Sequence, residues 1–315
     1  MRIKSVSCFS YLAAPLLLAG FALAQAPIEA VPETPPPPPS SKPAIQLEPN
    51  AGGALPPEQM RALLLRAEEK DLENDKRLRD YTYLERQEER KLDAHGVVTK
   101  TEIRTSEILQ VYGEEVEKLI AKDDQPLSPD EARKEDDKIE KVIDKRKNES
   151  DDARRKRLEK EEKEREEDRK FVLEVADAFD FRLLGSEMID GHDTWVLEGE
   201  PHPGYQPKHR DARMLSKFHG RVWIDKTEGQ WVKLDISAID NISIGLFLAR
   251  IHKGARIVVD LTEVNREVWL PKHVQVRMDA RVALVKNYRE DIEQTFRDYK
   301  KFRAESKITA VGETQ

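Results

Sequence analysis

A chain of 315 residues has room for one or two domains, and with 37% charged against 38% hydrophobic residues it pairs a modest core with a heavily solvated portion. The net charge of −7 gives no general attraction to nucleic acid or to anionic membranes, because phosphate neutralisation needs a basic surface. The single cysteine, Cys8, lies near the N-terminus, so the rest of the chain has no disulfide, thiol nucleophile or cysteine-ligated metal.

The first residues read as an export signal. Met1-Arg2-Ile3-Lys4 is a short basic start, Tyr11 to Phe21 an apolar core, and Ala22-Leu23-Ala24 a small-residue cleavage site before Gln25. The apolar run is broken by Pro15 and falls short of the roughly 20 residues a spanning helix needs. Cleavage after Ala24 would put the protein in the periplasm or outside the cell. Residues 25–57, with the run Pro35 to Pro39 and six further prolines, are expected to form a disordered, semi-rigid spacer.

From Glu58 to Arg79 the pattern turns helical: Met60, Leu63, Leu64 and Ala67 make one apolar stripe. Tyr81 to Gln87 reads as a strand, His95-Gly96 as a turn, and Val97 to Tyr112 as two further extended stretches. Glu115 to Ala121 continues the β pattern. Ser128-Pro129-Asp130-Glu131 is a capping box with proline at the first helical position. About four in five residues from Asp130 to Lys170 are charged, and many fall acid-before-base at i, i+4. Ile139, Val142 and Ile143 are the only apolar cluster, and no heptad follows. The expectation is a solvated helical arm, bent near Asn148-Glu149-Ser150.

Phe171, Val172, Val175, Ala178 and Phe179 restore an apolar helical stripe. Beyond it the signal is mostly β. Phe181 to Ile189 turns at Asp190-Gly191, and Trp195 to Leu197, His219 to Asp225, Gln230 to Ile239 and Arg256 to Val264 follow. Val268 to Val282 alternates cleanly, with Val274, Val276, Met278, Ala280 and Val282 on one face. Ile244 to Ile251 fits a strand or a short helix ended by Gly254. Ile292, Phe296 and Tyr299 also fit a helix, but a final strand is expected there.

Leu78-Arg79-Asp80-Tyr81-Thr82-Tyr83, Phe218 to Asp225 and Val268-Trp269-Leu270-Pro271-Lys272-His273 resemble stretches of the LolA-like class of exported proteins, the last two its strand openings. That resemblance implies an α+β fold in which a strongly curved antiparallel sheet, a half-barrel, carries helices on its concave side. Onto this are added the long charged helical insert and the proline-rich leader. The division is then 58–127 and 169–305 for the two parts of one domain, 128–168 for the insert and 306–315 for a tail. The class includes periplasmic lipoprotein carriers and the sensor domain of sigma-factor regulators. The resemblance implies a lipid or an acylated protein as ligand, held without a cofactor in an apolar cavity. Alternate strand residues Val232, Leu234, Ile236, Val274, Val276 and Met278 would form the wall, and Leu63, Leu64, Phe171 and Val175 the lid. The same residues would equally well pack on one another as a filled core. The alternative function is an envelope stress sensor or interaction scaffold whose arm, residues 130–168, docks an envelope protein. A monomer is expected.

No hydrolase elbow, zinc-protease helix or phosphate loop occurs, so no enzymatic activity and no catalytic residue is expected. His202, His209 and Asp211 sit in a loop whose spacing suits no rigid metal pair, and no metal site is expected. The basic residues of that loop and just after it, Lys208, Arg210 and Arg213, are candidates to meet an anionic headgroup at the cavity mouth. Trp195, Trp223, Trp231 and Trp269 are expected mainly to pack on the core.

Overall fold

The computed structural model describes residues 46–112, 114–208, 211–244, 249–282 and 286–302. The expected signal and cleavage site, most of the proline-rich spacer and the tail 306–315 lie outside the described residues, as do His209 and Arg210. Helix α1 (Pro57–Leu78) opens on Pro57 at its first position and ends with Lys76 and Arg77, which suit the negative end of the helix dipole. Strands β1 (Tyr81–Leu92), β2 (Val98–Val111), β3 (Glu114–Lys122) and the two-residue β4 (Gln125–Pro126) follow. Val98 to Val111 is one long strand, not two extended stretches, because Thr and branched residues run through it unbroken by any turn residue.

Next come α2 (Pro129–Lys147) and α3 (Asp151–Ala178). The expected capping box is formed: the Glu131 backbone N–H donates to Ser128 Oγ and the Ser128 N–H to the Glu131 carboxylate. The rest is β: β5 (Phe179–Ile189), β6 (His192–Pro201), a 3-10 helix (Asp211–Lys217), β7 (Phe218–Asp225), β8 (Trp231–Ala238), β9 (Ile242–Ile244), β10 (Ala249–Ile251), β11 (Arg256–Val264), β12 (Val268–Val282) and β13 (Lys286–Lys301). Asp190 and Gly191 both take positive φ, 48° and 90°, as a two-residue hairpin turn requires. The final segment is a strand and not the helix that Ile292, Phe296 and Tyr299 would also fit. The ambiguous stretch 244–251 begins and ends in the short strands β9 and β10, and its centre lies outside the described residues.

All pairings are antiparallel, in the order β4-β3-β2-β1-β13-β12-β11-β8-β7-β6-β5, with the β9–β10 hairpin added beside the end of β12. The sheet is open, with β5 and the short β4 at its ends. Helix α1 lies along one end of the strands and packs against β12, β5 and α3. Its Met60, Leu63, Leu64 and Ala67 join Tyr81, Leu197, Ile224, Val232, Val259, Leu270 and Val274 in one buried cluster. Each such large apolar side chain stabilises the fold by about 1.5–3 kcal/mol.

Two expectations need correction. The spacer does not stay free as far as residue 57. Leu55 is buried, its N–H donates to Phe181 O at 2.9 Å, and Leu183 N–H donates to Gly53 O at 2.8 Å. The chain thus adds a short bridge to the exposed edge of β5, because Leu47 and Leu55 find the core there.

Nor is the charged insert solvated throughout. Ile139, Val142 and Ile143 pack on Leu109, Val111 and Val116 of β2 and β3. Buried Glu135 accepts the Leu119 N–H of β3 at 3.1 Å, so α2 shields a strand near the open end of the sheet from unwanted pairing. α3 then returns to α1, β5 and the 3-10 helix. Residues 151–160 between these anchorages are exposed apart from half-buried Arg157, a charged strut crossing solvent and held by pairs such as Lys156–Asp152 at 2.8 Å.

Candidate functional site

The residues proposed as cavity wall and lid separate into three groups. Leu63, Leu64, Val232 and Val274 are core, all at or below 6% exposed. Phe171 and Val175 are half-buried and pack with Ala178, Ala212 and Leu215 against the 3-10 helix. Leu234, Ile236, Val276 and Met278 are half-buried on the sheet beyond α1.

Where α1 closes on the sheet, the space among the described residues is narrow. The space between its second half and β8, β11 and β12, lined by Asp71, Asn74, Leu78, Trp231, Leu261 and Trp269, measures 10 Å³, about the room one water needs. The contact is also hydrogen-bonded. Trp231 Nε1 donates to Asp71 Oδ1 at 3.0 Å, Asn74 Nδ2 to Gln230 Oε1 at 2.9 Å, and the Trp269 N–H to Asn74 Oδ1 at 3.1 Å. Arg66 Nε donates to Glu228 O at 2.9 Å. Parting α1 from the sheet to admit a lipid tail would leave the buried groups of Asp71, Asn74, Gln230, Trp231 and Trp269 without partners in a dry space, at about 1–3 kcal/mol each.

Beyond α1, the same face of the sheet carries an apolar shelf. Residues directly opposite across an antiparallel pair share a face. Gly220 opposes Ile236, Ile236 opposes Ile257, Ile257 opposes Val276, and Val276 opposes Ile292, so one row crosses β7, β8, β11, β12 and β13. The neighbouring row toward α1 is Val222, Leu234, Val259, Val274 and Gln294. At Gly220 a Cβ would meet the Asp235 carbonyl oxygen at 2.5 Å, so only glycine fits and the row ends low. Ile236, Met278 and Ile292 are half-buried yet stand outside the packed cluster.

The rows continue onto β1 and change character. Ile292 opposes Glu89, Gln294 opposes Gln87 and Phe296 opposes Glu85; Glu89 in turn opposes Glu102 and Glu85 opposes Ser106. Glu89 is buried and pairs with Lys91 Nζ at 3.1 Å. Gln294 Nε2 donates to Glu85 Oε1 at 2.7 Å. Burial first, then the charge of Glu117, push the Glu85 carboxyl up to about 7, against the opposing Gln294 bond. Burial likewise raises Glu115, although the Tyr83 hydroxyl donates to it at 3.2 Å. An apolar shelf with an acidic border is the result.

The proposed mouth residues are not gathered at this shelf. Lys208 Nζ pairs with Asp177 Oδ2 at 2.6 Å, and its N–H donates to Glu174. Tyr205 OH also donates to Glu174, at 2.6 Å, which pins the loop to α3. Arg213 is exposed on the 3-10 helix, and Arg210 lies outside the described residues. His202 Nδ1 lies 2.8 Å from Asp180 Oδ1. Three tryptophans act as structural donors: Trp223 Nε1 to Glu187, Trp231 to Asp71 and Trp269 to Glu228; Trp195 packs on the core.

Ile257 and the acidic row are not singled out in the sequence, and Ile292 is named there only as part of the last segment. Ile257 lay in an expected strand, but only the cross-strand register shows that it stands beside Ile236 and Val276.

No family model and no curated protein matches the chain. Among solved structures it is similar to a putative outer membrane lipoprotein-sorting protein domain from Vibrio parahaemolyticus, at 12% identity over 81% of this chain and 95% of that one, with a TM-score of 0.30. It is similar to a DUF1329 family protein from Desulfovibrio piger, at 11% identity over 80% and 95%, with a TM-score of 0.28. A LolA superfamily protein from Nitrosomonas europaea aligns at 10% identity over 80% and 97%, with a TM-score of 0.25.

Proposed function

We propose that this is a non-enzymatic protein of the cell envelope that binds the apolar part of a lipid or acylated protein on the inner-face shelf. One observation carries the reading: Ile236, Ile257, Val276, Met278 and Ile292 place half-buried apolar surface on one face of four adjacent strands. An acyl chain laid across them would remove that surface from water at about 0.8 kcal/mol per buried methylene. The space under α1 takes no part, since it is closed. The acidic border leaves the ligand's polar end facing carboxylates and amides, which favours a neutral or cationic headgroup over an anionic one.

A fatty amine or an apolar dye should bind and raise the melting temperature by mass action. Ile236→Glu with Met278→Glu should weaken binding by about tenfold or more, from the lost apolar area, with the fold intact because both residues lie outside the packed core. If the unsubstituted protein binds no apolar probe, the reading fails. A scaffold role through the insert is the second reading, and the exposed span 151–160 of α3 favours it.

A further inference from the structure

The elbow between α2 and α3 is firmly built. Arg146 and Arg157 both pair with Glu149, at 3.1 and 2.9 Å, and the three side chains are only 11–17% exposed. Ser150 caps α3 by accepting the Ala153 N–H at 3.3 Å. From Asp144 to Arg157 seven cations face four carboxylates, in a chain whose net charge is −7. Arg155 and Lys156 share Asp152. Among the described residues, no carboxylate lies within ion-pair distance of Lys145, Lys147 or Arg154, and all three are exposed.

Two apolar side chains stand beside this basic elbow. Leu158 is 46% exposed on the next turn of α3. Tyr112, 57% exposed, tips the β2–β3 connection. Val111 and Val116, which flank that connection, pack on Ile139, Val142 and Ile143, one to two turns before the elbow. Cations with no carboxylate partner among the described residues, an aliphatic side chain and a tyrosine are thus brought near the α2–α3 elbow.

We propose that the α2–α3 elbow, with Tyr112 and Leu158, docks on an anionic membrane surface. Near such a surface each lysine or arginine contributes about 1 kcal/mol, which decays within a Debye length. Leu158 and Tyr112 suit the headgroup boundary, where an apolar body and a polar tip are both accommodated. Farther along α3, residues 159–168 bring seven carboxylates against three cations. Their repulsion from the same surface would turn the elbow toward it and the acidic body away. The chemistry is that of a broad anionic plane, because exposed residues on a convex bend surround no single phosphate. This inference is independent of what the shelf holds.

The test uses the chain beginning at Gln25, which lacks the apolar leader that would itself partition into lipid. Sedimentation with phosphatidylcholine vesicles, with and without phosphatidylglycerol, should show binding only to the anionic ones, weakening as salt rises. The K145Q/K147Q/R154Q variant should bind about 100-fold more weakly, and K145E/K147E/R154E more weakly still, both with an unchanged melting temperature. Absence of binding to anionic vesicles, equal binding to neutral ones, or full binding by the glutamine variant would overturn the proposal. So would capture of soluble polyphosphate without any vesicle binding.

Discussion

The inner face of the sheet is one continuous surface with two different halves. Under α1, Val232, Val259, Leu270 and Val274 are at most 1% exposed and packed solid. Toward β1 the same strand rows carry Glu85, Gln87 and Glu89. The strands are equally regular in both halves, so backbone structure does not set the difference. What lies above each row does: beneath α1 the helix demands apolar partners, whereas the rows on β1 lie beyond its reach and hold carboxylates, of which Glu85 has its proton affinity raised by burial among its neighbours. The shelf of Ile236, Ile257, Val276, Met278 and Ile292 is the boundary between the two regimes.

The comparison is broken most forcefully from the α1 side. Leu63 is fully buried, so Leu63→Ala should cost about 2–5 kcal/mol from lost burial and a residual cavity. Denaturant unfolding would measure it as a shift in midpoint without a change in slope. A cost below about 1 kcal/mol would mean that α1 is only lightly held, and that the closed space beneath it opens readily in solution.

The acidic half gives a smaller effect with a definite sign. The folded-state value of Glu85, pushed up to about 7, lies above that of an unfolded glutamate, about 4.3. Between those values the folded chain holds a proton that the unfolded chain has released. This group's contribution to stability is therefore complete at acid pH and is lost as pH rises toward 7. Glu85→Gln should leave stability unchanged near pH 4 and raise it by about 1–2 kcal/mol at pH 8, allowing for partial exposure. Thermal melts of both proteins across pH check it; parallel curves would show that Glu85 ionises normally.

Much of this arrangement was legible in the sequence, for physical reasons that can be named. The capping box at Ser128, the Asp190-Gly191 turn and the alternation from Val268 to Val282 are local signals that the fold preserves. The candidate site was legible only in part. Val274 and Val276 look alike in a strand, yet one is buried beneath α1 and the other lies at the shelf, because the reach of the helix is a tertiary fact. Ile292 and Glu89 are far apart in sequence and meet only through the β1–β13 register. The charged insert misled for a related reason. Three apolar residues among dozens of charges were enough to dock α2, and Glu135 satisfied a strand N–H, a bond no composition reveals.

The strut of α3 is the limit of the comparison, where no sheet lies beneath the helix at all. Between its anchorages, Arg155 and Asp152 are 64% and 55% exposed and Lys156 71%. Pairs this exposed are screened by water and salt and stabilise a helix by about 0.2–0.5 kcal/mol. Arg155→Ala should therefore change global stability by less than about 0.5 kcal/mol. Hydrogen exchange of the amides at 153–160 should instead be faster than at 172–178, where Val172, Ala176 and Ala178 are buried. Equal protection along α3 would mean that the strut is supported by contacts beyond its own ion pairs, and that its charge is not simply the consequence of crossing solvent.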